Sequence, residues 1–406
     1  VADLVRLSCG RFHSEESATL EGLDEAAAEA QGWERPGWFA PEGVDPEYVY
    51  SFKRQNWFEH SAAEHRAVRE AVGMFDQTSF AKFELQGQDA EAVLNRVSAN
   101  DVAVEPGRIV YTQWLNERGG IEADLTVTRL NSDRYMIVTG VGTQVRDFQW
   151  LMRQIPDGAD AKLTDITEDL AVLGVMGPAS RALLADVSDV DFSNGGFPFQ
   201  TSKEIDLAGA QVRASRITYV GELGWELYIP LDGAVAVFEA ILDAGKNHGL
   251  VLAGIHAMNS LRIEKAYRHW GDDIGDQDTP LEAGLSFAVS WDKPGGFIGF
   301  EALSEQRRAG VKRRLVQFAL EDPEPLLYGN EPIWRDGEIA GYITSAMYGH
   351  TLGRAIGLGY VSNGNGNVDG DFITVGTYDI EIAGRRFKAK ASIKPLFDPK
   401  SERAKV

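Results

Sequence analysis

The stretch Ile217-Thr218-Tyr219-Val220-Gly221-Glu222-Leu223-Gly224-Trp225-Glu226-Leu227-Tyr228 sets carboxylates and aromatic rings around Gly221 and Gly224. After Gly224 the residue types alternate. Trp225 and Leu227 therefore share one face of a strand, Glu226 and Tyr228 share the other, and Pro230 closes the run. One face goes to a core, which leaves Glu226 able to face a pocket. A carboxylate offers two acceptor oxygens, a match for paired N–H donors such as those on the pyrimidinone edge of a pterin. The pattern also suits an ordinary strand after a glycine turn, in which a buried Glu226 would need a partner.

Further groups with chemical potential are spread along the chain. Asp101 follows Ser98-Ala99-Asn100 at a predicted helix end, just before Pro106-Gly107. A helix C-terminus is electronegative, so a carboxylate there does not serve the helix; a functional role and loop capping both remain open. For Asp124 and Glu282 the simplest role is structural hydrogen bonding. Tyr111, Trp114, Tyr219, Trp225, Tyr267 and Trp270 are the aromatics near this chemistry. Aromatic faces attract ammonium or sulfonium groups, worth about 2 kcal/mol or more when desolvated, with core packing as the alternative. Arg262, Lys265 and Arg268 make either a local anion site or a solvated helix face. The sequence contains no G-x-G-x-x-G after a first strand, no G-x-x-x-x-G-K-[ST], no H-E-x-x-H and no G-x-S-x-G. His60 and His65 have the wrong offset for paired ligands on a helix. The expectation is a chain with no flavin and no metal of its own.

The elements that position these groups show an internal repeat. Phe83-Glu84-Leu85-Gln86-Gly87-Gln88-Asp89-Ala90 runs into Val93, Leu94 and Val97. Leu173-Gly174-Val175-Met176-Gly177-Pro178-Ala179-Ser180 runs into Leu183, Leu184 and Val187. Each reads as strand, glycine turn and helix start, followed by apolar positions at helical spacing. Between them lie predicted strands Ile109 to Leu115, Leu125 to Leu130 and Arg134 to Thr139, with Gly119-Gly120 as a turn. A strand from Tyr219 to Ile229 and a helix from Ala234 to Leu242 follow. Two similar α+β halves with a cleft at their junction result.

Residues 1–40 read as an extension, with an acidic, Ala-rich helix from Leu20 to Ala30. Next comes Trp33-Glu34-Arg35-Pro36-Gly37-Trp38-Phe39, whose aromatics must pack onto something. Trp57, Phe58 and a helical pattern from Ala62 to Val72 open the main body, residues 41–295. From about Pro294 the rhythm changes to short alternating runs: Arg314 to Leu320, Glu331 to Trp334, Glu338 to Ser345, Ala355 to Val361, Phe372 to Val375 and Tyr378 to Ser392. Residues 296–406 are thus predicted to form a small antiparallel barrel or jelly roll, with Asn363-Gly364-Asn365-Gly366-Asn367 as a turn-rich loop.

At 406 residues the chain is long enough for two or three domains. A net charge of −21 argues against general nucleic-acid binding, which needs concentrated Lys and Arg. No stretch approaches the roughly 20 apolar residues of a membrane helix, and the first thirty residues lack an apolar signal core. With Cys9 as the single cysteine there is no internal disulfide framework. These features lead us to expect a cytoplasmic protein without membrane or nucleic-acid partners.

Several ordered strings together resemble the folate-binding aminomethyltransferase family, founded on the glycine cleavage T-protein. They are still more similar to the C-terminal region of dimethylglycine and sarcosine dehydrogenases. The strings are Trp33 to Phe39, Ser98-Ala99-Asn100-Asp101, Asn116-Glu117-Arg118-Gly119-Gly120-Ile121, Gly221 to Glu226, Ser260-Leu261-Arg262-Ile263-Glu264-Lys265, Tyr267-Arg268-His269-Trp270 and Thr279-Pro280-Leu281-Glu282-Ala283-Gly284-Leu285. Gly341 to Ser345 and Gly357 to Val361 extend the likeness into the barrel.

The resemblance implies an α+β fold arranged as a three-lobed cloverleaf, with tetrahydrofolate in a central channel. It implies that Glu226 holds the pterin, that Asp101 stands near the reacting folate nitrogens, that Tyr219 flanks the folate and substrate site, and that Asn116 lines the same channel. Where the T-protein has Ala-Ala-Arg-Asp-Ser, this chain has His256-Ala257-Met258-Asn259-Ser260, so a substrate on a lipoyl carrier is not expected. Two catalytic readings follow. In one, a methyl group passes from a small onium compound, glycine betaine first, to N5 of tetrahydrofolate as 5-methyltetrahydrofolate, with Asp101 handling the N5 proton. In the other, a separate flavoprotein oxidises an N-methyl group and this chain captures the carbon as 5,10-methylenetetrahydrofolate, with Trp33 to Phe39 as a docking surface. A third reading is a non-catalytic folate-binding protein.

Overall fold

The two glycine turns of the repeat set the architecture. The computed structural model describes residues 24–406 apart from Gln31 and Asn365. Strand Ala81–Gln86 ends at Gly87 and helix Ala90–Val97 follows; strand Leu170–Met176 ends at Gly177 and helix Ser180–Ala185 follows. Gly87 and Gly177 share nearly one φ, 142° and 141°, which L side chains rarely adopt. A Cβ at Gly87 would lie 2.0 Å from the Asp160 carbonyl oxygen, and one at Gly177 would lie 2.4 Å from that of Ala71. The crowding carbonyls have a purpose: Asp160 O accepts the N–H of Asp89 and Ala71 O accepts that of Ala179. Both turns are therefore closed by a residue one or two positions ahead of a neighbouring strand.

Those neighbouring strands complete two sheets. Residues 109–115, 121–129, 134–139, 81–86 and 162–165 form a five-stranded antiparallel sheet in that order. Residues 202–207, 210–215, 224–230, 170–176, 72–76 and 250–252 form a six-stranded sheet, antiparallel except for the last pair. Trp225, Leu227, Val175, Phe238 and Ile241 build the core of the six-stranded lobe, while Phe83, Leu85, Leu94, Trp114 and Ile137 build that of the other. Met136 of one sheet meets Val172 and Tyr228 of the other. The third lobe is a closed barrel of six antiparallel strands beginning at Arg313–Leu320 and ending at Arg385–Ser392. It docks on helix Ile255–Glu264, where Ser260 Oγ donates to Tyr348 O at 2.6 Å and Gln317 Nε2 to Ile263 O at 2.6 Å. The fold is thus α+β in three lobes.

Three predicted elements differ. Within the expected Leu20–Ala30 helix, Asp24–Ala30 is a strand paired antiparallel with Trp33–Ala40, and residues 20–23 lie outside the described residues. The Ala-rich run has helical propensity but no partner face at helical spacing, and the aromatic strand supplies backbone hydrogen bonds instead. The expected strand Phe372 to Val375 is part of helix Gly370–Val375, started by the Asp369 side chain accepting Phe372 N–H at 2.8 Å. The expected Tyr219–Ile229 strand begins only at Gly224, leaving Tyr219 in a loop. Helix Phe300–Ala309 precedes the barrel and buries Leu303 against Ala99, Leu115 and Ile121 of the first half. Among the described residues no helix is long and apolar enough to cross a membrane.

Replacing Gly87 or Gly177 by alanine should cost about 1–3 kcal/mol each, because a Cβ meets a carbonyl oxygen at a φ disfavoured for alanine. Urea midpoints of the two variants check this, and the repeat predicts similar losses at both positions.

Candidate active site

Strand Gly224–Pro230 carries the first candidate group. Trp225 and Leu227 point into the core of the six-stranded lobe, so their faces carry Glu226 and Tyr228 to the opposite side. There the Tyr228 hydroxyl donates to Glu226 Oε2 at 2.7 Å. Among the described residues this is the one hydrogen bond to the Glu226 carboxylate, which is 6% exposed. Burial raises its pKa to about 7, against the smaller opposing effect of the Tyr228 hydrogen bond. A carboxylate this dry with a single donor is poised to accept further N–H donors.

The loop ahead of the strand is shaped by hydrogen bonds. Thr218 Oγ1 accepts the N–H groups of Val220 at 3.2 Å and Gly221 at 3.0 Å. Gly221, at φ 81°, lets Lys265 pack close: a Cβ would lie 2.5 Å from its Cγ. Glu222 is spoken for, since Arg69 Nη1 and Arg403 Nε both reach it at 2.8 Å. Tyr219 donates its hydroxyl to Arg268 O at 2.8 Å and stacks on Tyr267 with centroids 6.1 Å apart.

Tyr219 also lines a cavity of about 420 Å³ at the junction of the lobes. Its polar walls include Arg35, Asp76, Gln77, Asn259 and Arg262, and the barrel contributes Thr344 to Met347. Met258 and Asn259, at the positions where the sequence departs from the T-protein string, are both on this wall. Arg35 and Gln77 were missed in the sequence. Arg35 sat inside the Trp33–Phe39 string, whose only evident signal was aromatic, and Gln77 sits just past a strand end with no motif around it.

Other expected site residues go elsewhere. Trp225 and Trp114 are fully buried, so neither faces a substrate. Trp225 packs edge-on against Phe192 and Phe197; Trp114 stacks on Trp150 and donates to Ser98 Oγ. Trp270 donates to Ile121 O, and Arg146 covers its ring at 4.3 Å. Tyr111 is hydrogen-bonded to Asp124 and stacks on Phe287. Burial raises the Asp124 pKa to about 6, with the Gln113 hydrogen bond opposing. Tyr267 lies against Tyr219. Of these rings, Tyr219 is the one that lines the cavity. Asn116 organises the Gly119-Gly120 turn: its Oδ1 accepts Arg118 and Gly120 N–H, each at 3.0 Å, and its Nδ2 donates to Glu122 and Asp276 O. Glu282 accepts Thr279 N–H and pairs with Arg313 at 3.1 Å.

Arg262, Lys265 and Arg268 are neither a free anion site nor a solvated face. Arg262 pairs with Asp273 at 3.0 Å, Lys265 with Asp398 at 3.0 Å, and Arg268 donates to Ala283 O and Ala266 O. Asp101 is half-buried, and one carboxylate oxygen accepts Ala103 N–H at 2.9 Å. The loop carrying it is clamped by Lys293, whose ammonium donates to the carbonyls of Asn95, Ser98 and Asn100. No hydrogen bond joins Asp101 to Glu226. Among the described residues there is no cluster of three metal-ligating side chains.

The GCVT N-terminal domain model matches residues 19–293, and the glycine cleavage T-protein C-terminal barrel domain model matches residues 313–398. The chain belongs to the glycine cleavage T-protein family. It is 43% identical over 386 residues to a 4-methylaminobutanoate oxidase (formaldehyde-forming) of Paenarthrobacter nicotinovorans, covering 95% of this chain and 46% of that protein. To the mitochondrial sarcosine dehydrogenase of Homo sapiens it is 40% identical over 416 aligned positions, covering 93% and 45%. The chain therefore spans less than half the length of these two relatives. Its fold is that of the glycine cleavage system aminomethyltransferase T from Bartonella henselae, with a TM-score of 0.77 over 92% of this chain and 95% of that one at 24% identity.

The pKa of Glu226 has a measurable consequence. A carboxyl with a folded-state pKa near 7 and an ordinary unfolded value contributes stability below about pH 4.5 that is lost as pH rises through 7. Relative to Glu226→Gln, the wild-type protein should lose on the order of 3 kcal/mol between those limits. Chemical denaturation of both proteins across that range checks it, and parallel curves would contradict the assignment.

Proposed function

We propose that this chain is the tetrahydrofolate-binding, one-carbon-transferring part of an oxidative N-demethylation system. The observation that carries the reading is the buried Glu226 carboxylate with its single donor, facing away from the core in a family whose members bind folate. The residues fit the group: the ionised Glu226 carboxylate would accept the paired donors of a pyrimidinone edge, and Tyr228 holds it in place. Bound tetrahydrofolate supplies two nucleophilic nitrogens that take up carbon at the formaldehyde oxidation level as 5,10-methylenetetrahydrofolate. Glu226 orients the heterocycle, Asp101 holds or moves the proton of the reacting nitrogen, and the lobe junction excludes water.

The oxidative route is supported over direct methyl transfer from glycine betaine by two features. Trp114 and Trp225, two of the candidate cage aromatics, are fully buried in the lobe cores. The relatives named as a formaldehyde-forming oxidase and a sarcosine dehydrogenase act on N-methyl compounds, and a flavoprotein partner or further flavin-bearing segment would supply the oxidised carbon here.

In an anaerobic incubation without flavin, the protein with tetrahydrofolate and glycine betaine, dimethylglycine or sarcosine should form no 5-methyltetrahydrofolate. With formaldehyde added, 5,10-methylenetetrahydrofolate should form faster than in buffer. Asp101→Asn should reduce that acceleration by about 10²-fold at unchanged folate affinity. Methyl transfer from glycine betaine in the first incubation would overturn the reading.

A further inference from the structure

Gln77 is the least satisfied polar side chain near the Glu226 face. It is 2% exposed, and among the described residues neither its Oε1 nor its Nε2 has a hydrogen-bond partner. A carboxamide carries one acceptor and two N–H donors, and burying all of them unmet is costly in any fold. The backbone holds it there: Gln77 N–H donates to Val172 O at 2.9 Å, and Thr78 N–H to the Asp76 carboxylate at 2.9 Å.

The cross-strand register shows where the amide lies. Gly174 is paired directly with Glu226, so a side chain at 174 would stand beside Glu226 on the same face of the sheet. Position 174 has no side chain, and the Gln77 carboxamide fills that space: a Cβ on Gly174 would lie 2.4 Å from Gln77 Oε1 and 3.0 Å from its Cδ. Gln77 thus reaches from the wall of the 420 Å³ cavity to the neighbourhood of the Glu226 carboxylate. The glycine is needed here for close approach, since the strand at this point is ordinary extended backbone.

Resting on the folate reading above, we infer that Gln77 is the second hydrogen-bonding arm of the heterocycle site, its carboxamide N–H group donating to ring acceptor atoms that Glu226, an acceptor only, cannot serve. The two side chains are complementary in kind. A 2-amino-4-oxopyrimidine edge presents adjacent donors and a carbonyl acceptor. A carboxylate satisfies the donors and a neighbouring amide satisfies the carbonyl. The amide also discriminates against flat ligands with donors alone, because its own N–H would then stay unpaired.

The test uses the full chain, with tetrahydrofolate affinity read by quenching of tryptophan fluorescence under anaerobic conditions, and apoprotein melting temperature as a separate readout. Gln77→Met keeps the shape and removes both polar functions. Gln77→Leu removes both polar functions with a different shape. Both should weaken tetrahydrofolate about tenfold or more, the equivalent of one lost buried hydrogen bond. Apo Gln77→Met should melt at or above the wild-type temperature, since an unpaired amide has been removed. If Glu226→Ala loses affinity while either Gln77 variant binds within twofold of wild type, the role of Gln77 is overturned and the folate site stands. If Glu226→Ala and both Gln77 variants all bind as wild type does, the folate site itself is misplaced.

Discussion

The buried guanidinium of Arg69 is the interaction on which the rest of the molecule turns. It donates to Glu222 at 2.8 Å, to Glu264 at 3.0 Å, and to the carbonyls of Val220 and Leu261. Glu264 also accepts the N–H groups of Thr351 and Leu352, and Glu222 takes Arg403 from the C-terminal segment. One network therefore ties helix Phe58–Glu70, the loop before Gly224, helix Ile255–Glu264 and the barrel into a single body. Charges this deep carry a large desolvation cost. Removing one partner leaves the others buried and unmatched, a loss of about 3–5 kcal/mol.

The consequence for the site is positional. Glu222 and Glu226 are four residues apart, but one is consumed by two arginines while the other keeps a single neutral donor. Gly224 lies between them and starts the strand, so the network that anchors Glu222 also fixes the direction in which Glu226 projects. Tyr219, three residues before Glu222, is brought to the cavity wall by the same loop. One short segment thus supplies both Glu222, whose charge is saturated by arginines of other elements, and Glu226, which among the described residues keeps one neutral donor.

Much of this was legible from the residues. Alternation after Gly224 placed Trp225 and Glu226 on opposite faces, and the repeated strand, glycine and helix start pointed to the twin turns at Gly87 and Gly177 with their matching φ. Alternating runs after Arg313 pointed to the barrel. The misreadings share a cause: they concern partners distant in the chain. Arg262, Lys265 and Arg268 looked like a basic patch because their acidic partners Asp273 and Asp398 and the carbonyls they serve come from other segments. The Asp24–Ala30 strand was hidden behind helical propensity, since the strand it pairs with, not its own residues, decides its state. Gln77 had no signal at all, because what marks it is the missing side chain of Gly174 on another strand.

The most direct measurement is the crystal structure of this protein with tetrahydrofolate bound. The account predicts the pyrimidinone edge within hydrogen-bonding distance of the Glu226 carboxylate, in the space between the six-stranded sheet and the lobe junction. A heterocycle bound elsewhere, with Glu226 still paired to Tyr228 alone, would contradict it.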